Sequence, residues 1–145
     1  MISSFFRNVV KEIRNIGDSQ IIVEGKKDRK VLEKLGFRNV LDISGKPLFE
    51  ILKEIKKNPV ILLTDFDSEG EKLAKKLYNL LKIYGIRVDE VEREIFRRLF
   101  NVNKIEELNF FVKFMEDGYN GKACSIYDKI FNRSRILMRR NGRKT

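Results

Sequence analysis

Two groups of acidic residues hold the chemistry open to this sequence. Glu24 closes a short β-branched run, Gln20-Ile21-Ile22-Val23, and Gly25 follows it. Further along, Asp65, Asp67 and Glu69 follow the apolar run Pro59-Val60-Ile61-Leu62-Leu63-Thr64 as Asp-x-Asp-x-Glu. Carboxylates gathered at one point repel one another, and a hard divalent cation relieves them. Such an ion orients phosphate oxygens, lowers the pKa of a bound water and offsets charge on a displaced oxygen. The same residues have a plainer meaning. Asp67, Ser68 and Glu69 suit the start of a helix and its positive end, and Asp65 alone suits a turn. Asp-x-Asp-x-Glu-Gly also begins like a calcium loop, but its twelfth position is Lys76 rather than Glu and a strand precedes it, which excludes that reading. Neither G-x-x-x-x-G-K-[ST] nor G-x-G-x-x-G occurs, so those nucleotide-binding loops are absent.

The rest of the composition narrows the choice. The 145 residues contain no His and one Cys, Cys124. That excludes His-based acid–base catalysis, Ser-His-Asp and Cys-His arrangements, zinc held by Cys and His, and an internal disulfide. Any metal must be held by oxygen, which points to Mg²⁺ or Mn²⁺. With 42% apolar and 36% charged residues the chain can build a core, and its length suits one domain, residues 1–145. No apolar run approaches the roughly 20 residues needed to span a bilayer, and no signal sequence follows Met1. The expectation is a cytoplasmic protein without a membrane. The net charge of +10 favours a polyanionic partner.

Hydrophobic periodicity supplies the elements that must position the acids. A helix is predicted over 3–16 from Ile2, Phe5, Phe6, Val9, Val10, Ile13 and Ile16, stopped by Gly17. A strand runs over 20–25, a helix over 27–35 to Gly36, a second strand over 39–44, and a helix from Pro47 to Lys57. Residues 59–65 are apolar on both faces, as a central parallel strand should be. A long amphipathic helix follows over 68–84, stopped by Gly85. Residues 86–91 form a weaker fourth strand, interrupted by Asp89 and Glu90, and 92–100 and 105–115 are helical. Alternation of this kind implies right-handed crossovers and a parallel sheet covered on both faces. In such a sheet ligands bind beyond the carboxyl ends of the strands, so Glu24 and Asp65 emerge at the same rim.

Val23-Glu24-Gly25-Lys26-Lys27-Asp28, followed later by Leu63-Thr64-Asp65-Phe66-Asp67-Ser68-Glu69-Gly70, resembles the Toprim domain. That domain is shared by type IA and type II topoisomerases, bacterial primases, OLD-family nucleases, recombination mediators and the nuclease that matures 5S ribosomal RNA. The resemblance covers about residues 18–103. It implies an α/β, Rossmann-like fold with a four-stranded parallel sheet flanked by helices and extra N- and C-terminal helices. It also implies Mg²⁺ or Mn²⁺ held by Glu24, Asp65 and Asp67, with Glu24 as general acid or base and Glu69 matching a third acid of type IA topoisomerases. Ser68 stands where many members have a basic residue. A chain of this length has no room for a topoisomerase gate or the further domains of a primase, and resembles the small stand-alone Toprim proteins of archaea and bacteria.

Basic residues complete the reading. Lys26 follows Gly25, and Lys46 lies in the loop after the second strand, so both flank the acidic rim as phosphate contacts or as ordinary solvated lysines. Residues 122–145 contain eight basic side chains and one acid, +7 of the total +10. Within the C-terminal helical segment, about 116–145, Lys122, Lys129, Arg133 and Arg140 fall on one helical stripe beside an apolar arc of Ala123, Tyr127, Ile130, Phe131, Leu137 and Met138. The stripe suits a DNA or RNA backbone, and the arc suits either this chain's own body, a second copy or a partner protein. The functional expectation is a metal-dependent nuclease. Its rivals are a non-catalytic nucleic-acid-binding or ribosome-associated module and a subunit that needs a partner.

Overall fold

Parallel strands need a crossover to return to the same direction, and the helices between these strands supply it. The computed structural model describes residues 4–117. They form α1 (Ser4–Ile16), β1 (Gln20–Val23), α2 (Lys26–Leu35), β2 (Asn39–Asp42), α3 (Leu48–Glu54), β3 (Val60–Leu62), α4 (Ser68–Ile83), α5 (Glu90–Phe100), a 3-10 turn (Ile105–Glu107) and α6 (Leu108–Asp117). The chain divides into one unit through Leu108 and another from Asn109. Among the described residues no helix is long and apolar enough to cross a membrane.

β1 is the central strand of a parallel sheet ordered β2-β1-β3. It pairs with β2 from Gln20–Asn39 to Val23–Asp42 and with β3 from Gln20–Val60 to Ile22–Leu62. The expected fourth strand over 86–91 is reduced to one parallel bridge, Val60 to Val88. The Val60 amide donates to the Arg87 carbonyl at 2.9 Å, and the Asp89 amide donates to the Val60 carbonyl at 2.8 Å. The cause is local. Asp89 is the N-cap of α5, its side chain accepting from the Glu92 amide at 3.0 Å, so the extended chain ends where that helix begins.

Strand residues alternate between faces, and here both faces are apolar. Ile22, Leu41 and Leu62 pack with Ile51 of α3 and with Ala74, Leu77 and Leu81 of α4. α2 packs on β2, while α5 packs on β3 and α1. The Phe96 ring of α5 lies 6.1 Å from Phe37 and 4.5 Å from Phe100, centroid to centroid. Truncating a fully buried residue such as Ile22 or Leu62 to Ala would cost about 2–5 kcal/mol. α2 stops at Gly36, whose φ of 112° is the left-handed conformation that glycine takes without a Cβ penalty. The α2 and α4 predictions agree with the observed helices to within a residue at each end, whereas α3 ends at Glu54 rather than Lys57.

Candidate functional site

The three strands point their carboxyl ends at one rim, and an open cleft of about 500 Å³ lies there. Its acids are Glu24 after β1, Asp28 in the first turn of α2, Asp65 after β3 and Glu106 in the 3-10 turn. Ser44, beyond β2, and the lysines Lys26, Lys27 and Lys104 also line it. Glu24 is exposed and Asp65 is half-buried.

The Asp65 loop is held from several sides. Asp65 Oδ1 accepts from the Ile105 amide at 2.9 Å. The Phe66 amide donates to the Asn103 carbonyl at 2.6 Å. The buried Thr64 hydroxyl donates to the Gly70 carbonyl at 2.8 Å. Gly70 itself allows the first turn of α4 to lie against the backbone of Asp65, where any Cβ would overlap the Asp65 carbonyl. Asp67 is the N-cap of α4, its Oδ1 accepting from the Gly70 amide at 2.8 Å. The helix-capping meaning of this residue is therefore realised. Glu69 is exposed, its carboxylate 3.8 Å from Lys72 Nζ.

The structure thus brings Glu24 and Asp65 into one cleft, while Asp67 and Glu69 lie on the adjoining helix start outside its lining. Lys26 lines the cleft, but Lys46 pairs with Glu54 at 3.2 Å and does not. Lys122, Lys129, Arg133 and Arg140 lie outside the described residues.

Sequence spacing gives no role to two acids of the cleft, Asp28 and Glu106. Asp28 lies inside the motif that begins at Val23, where its position in a first helical turn hides a second use. Its Oδ2 accepts from the Gly25 amide at 3.2 Å. Burial first, then the nearby Asp65 carboxylate, raises its pKa to about 6, with smaller contributions from Glu106 and Glu24; the Gly25 amide pulls the other way. Glu106 has no local signal, because only the tertiary fold returns the segment after α5 to the rim of β1. Beside the cleft, burial alone would raise Asp42, but the Ser44 hydroxyl at 2.9 Å, Lys46 and Arg29 outweigh it and hold that carboxyl below its usual range.

These donors suit a hard divalent cation. All are carboxylate oxygens, and the Asp65 carboxylate adds to burial in raising Asp28, a repulsion that a cation would relieve. Among the described residues no three acidic or Cys side chains stand close enough together to cage an ion as they are. The fit therefore rests on donor type and charge and not on a ready-made cage.

A sequence profile of the Toprim domain matches residues 19–102. A UPF0292 protein of Pyrococcus abyssi is 38% identical over 117 residues, 79% of this chain and 82% of that protein. A UPF0292 protein of Thermococcus gammatolerans is 37% identical over 107 residues, 71% of this chain and 80% of its own length. A solved structure, a putative protein from Aquifex aeolicus, superposes with a TM-score of 0.61 at 38% identity, covering 70% of this chain and 95% of that one. Glu24 ending β1, the Asp65-x-Asp67 turn after β3 and a profile match spanning the whole sheet lead to one conclusion: the chain belongs to the Toprim domain family.

Proposed function

We propose that this protein is a Mg²⁺- or Mn²⁺-dependent enzyme that cleaves nucleic-acid phosphodiesters, a nuclease. Toprim domains generally bind divalent metal ions and are associated with nucleic acid. The observation that carries the reading is the meeting of Glu24 and Asp65 in one cleft, where burial first and then the Asp65 carboxylate raise the pKa of Asp28 to about 6. A bound divalent ion would there offset phosphate charge and acidify a water. Asp65 and Asp67 offer it carboxylate oxygens, and Glu69 supports them from the next turn. Glu24, exposed at the mouth of the cleft, is free to move a proton between water and the scissile phosphate. Lys26 at the cleft grips a phosphate, Lys46 would reach one only by leaving Glu54, and Lys122, Lys129, Arg133 and Arg140 hold the DNA or RNA backbone.

The capping of α4 by Asp67 favours a second reading, a nucleic-acid-binding module whose acidic turn serves structure or a protein partner. One experiment separates them. Duplex DNA, single strands and structured RNA are incubated with the protein and Mg²⁺ or Mn²⁺, alongside Glu24→Gln and Asp65→Asn. A nuclease loses cleavage in both variants and keeps binding. A wild-type chain that binds with a steep salt dependence and never cleaves supports the module instead.

A further inference from the structure

The outer edge of β3 is short of a neighbour. Val60 turns its amide and carbonyl to the bridge at residues 87–89, and there the fourth strand ends. With a period of two, the groups of residues 62, 64 and 66 face the same edge. Buried carbonyls there need donors.

Arg93, on the first turns of α5, supplies them. Its Nη1 donates to the Leu62 carbonyl at 2.8 Å and to the Thr64 carbonyl at 3.0 Å. Its Nη2 donates to the Asp65 carbonyl at 3.2 Å and to Glu71 Oε1 of α4 at 2.6 Å. The guanidinium lies 4.6 Å from the centre of the Phe66 ring, and the side chain is only 11% exposed. One step further along, the Phe66 amide finds the Asn103 carbonyl, and Asp65 Oδ1 takes the Ile105 amide. The start of α5 and the segment after it, through the 3-10 turn, thus clasp the loop that presents Asp65 and Asp67.

We propose that Arg93 is the positioning residue of the acidic site: its fork replaces the absent strand along β3 and sets the backbone from which Asp65 and Asp67 project. The proposal deepens the nuclease reading and uses the same acids, but its main test does not depend on catalysis. A lysine offers one point of charge where the planar fork meets three carbonyls and a carboxylate, so it cannot make the same set of contacts.

The variants are Arg93→Lys, Arg93→Met and, as a control, Arg97→Ala, whose side chain pairs with Glu94 one turn along. Amide hydrogen exchange by NMR reads the clasp through Phe66 and Ile105, with the Leu63 amide, bonded to the Ile22 carbonyl, as the sheet reference. In Arg93→Lys, Phe66 and Ile105 are expected to exchange about tenfold faster or more, with Leu63 unchanged and Arg97→Ala like wild type. Mn²⁺ affinity, read by electron paramagnetic resonance, is expected to fall about tenfold in the same variant. Unchanged exchange at Phe66 and Ile105 overturns the proposal. So does equal acceleration of Leu63, which makes Arg93 a general stabiliser, and so does unchanged Mn²⁺ affinity. If Arg93→Met fails to fold, Arg93→Lys still decides. A wild-type protein that takes up no Mn²⁺ defeats the nuclease reading, while the exchange rates still judge Arg93.

Discussion

Asp67 accepts the Gly70 amide through one oxygen and has no second protein donor among the described residues. Its roles as cap and as metal ligand can therefore be separated. Asp67→Ala removes both and should cost about 1 kcal/mol of stability, measured by urea denaturation. Asp67→Ser keeps a cap and removes the carboxylate, so it should hold near wild-type stability and lose Mn²⁺ uptake. Gly70 is the harsher position. A methyl group there would meet the Asp65 backbone, so Gly70→Ala should destabilise by about 2 kcal/mol or more and displace the acidic turn. A denaturation midpoint unchanged from wild type would contradict the close approach. That Glu24 and Asp65 share one rim was legible because each closes a strand of a parallel sheet, whereas the spacing left Asp67 between cap and ligand. Arg93 was not, since its acceptors are mostly carbonyls, which every residue owns.

At the scale of elements, α1 and α5 meet through two carboxyl groups. Glu12 is 4% exposed, and one oxygen each of Glu12 and Glu92 is buried without a donor. Burial first, then the Glu92 carboxylate and the hydrogen bond it shares with Glu12, raises Glu12 from 4.5 to about 7; Asn15 opposes the shift. The folded protein therefore keeps a proton that the unfolded chain has released. Stability from this group is full below about pH 4.5, is lost as pH rises to about 7, and stays lost above it. Glu12→Gln should match wild type near pH 4.5 and exceed it at about pH 8, by something on the order of 1–3 kcal/mol. Thermal melts across that range check this, and parallel curves for the two proteins would refute it. The helices themselves were readable from period and from glycine stops, as at Gly36 and Gly85. The fourth strand was overread, because Asp89 serves the following helix instead of the sheet. The Glu12–Glu92 pair was hidden, since each acid falls on a helix where charge is ordinary and only packing brings the two together.

For the whole molecule, charge and acid chemistry are separated along the chain. The acidic cleft belongs to the first unit, and +7 of the +10 net charge lies in residues 122–145. Replacing Lys129, Arg133 and Arg140 with Ala should weaken binding to DNA or RNA of any sequence and lower the slope of log affinity against log salt by about 2–3. Filter binding at several salt concentrations measures it, and an unaltered slope would remove those side chains from the interface. Cleavage, if limited by the cleft, should change through KM more than kcat in that triple variant.

The fork of Arg93 has one more consequence. A sheet border with idle carbonyls is a template on which another polypeptide can add a strand, and proteins guard such borders with charge or cover. Here a single cation occupies the acceptors along β3, beneath the helix that carries it. Without it those carbonyls lie buried and unmet, so any opening of α5 in concentrated samples should lead to intermolecular β-pairing, and the residue that orders the acids also keeps that border shut.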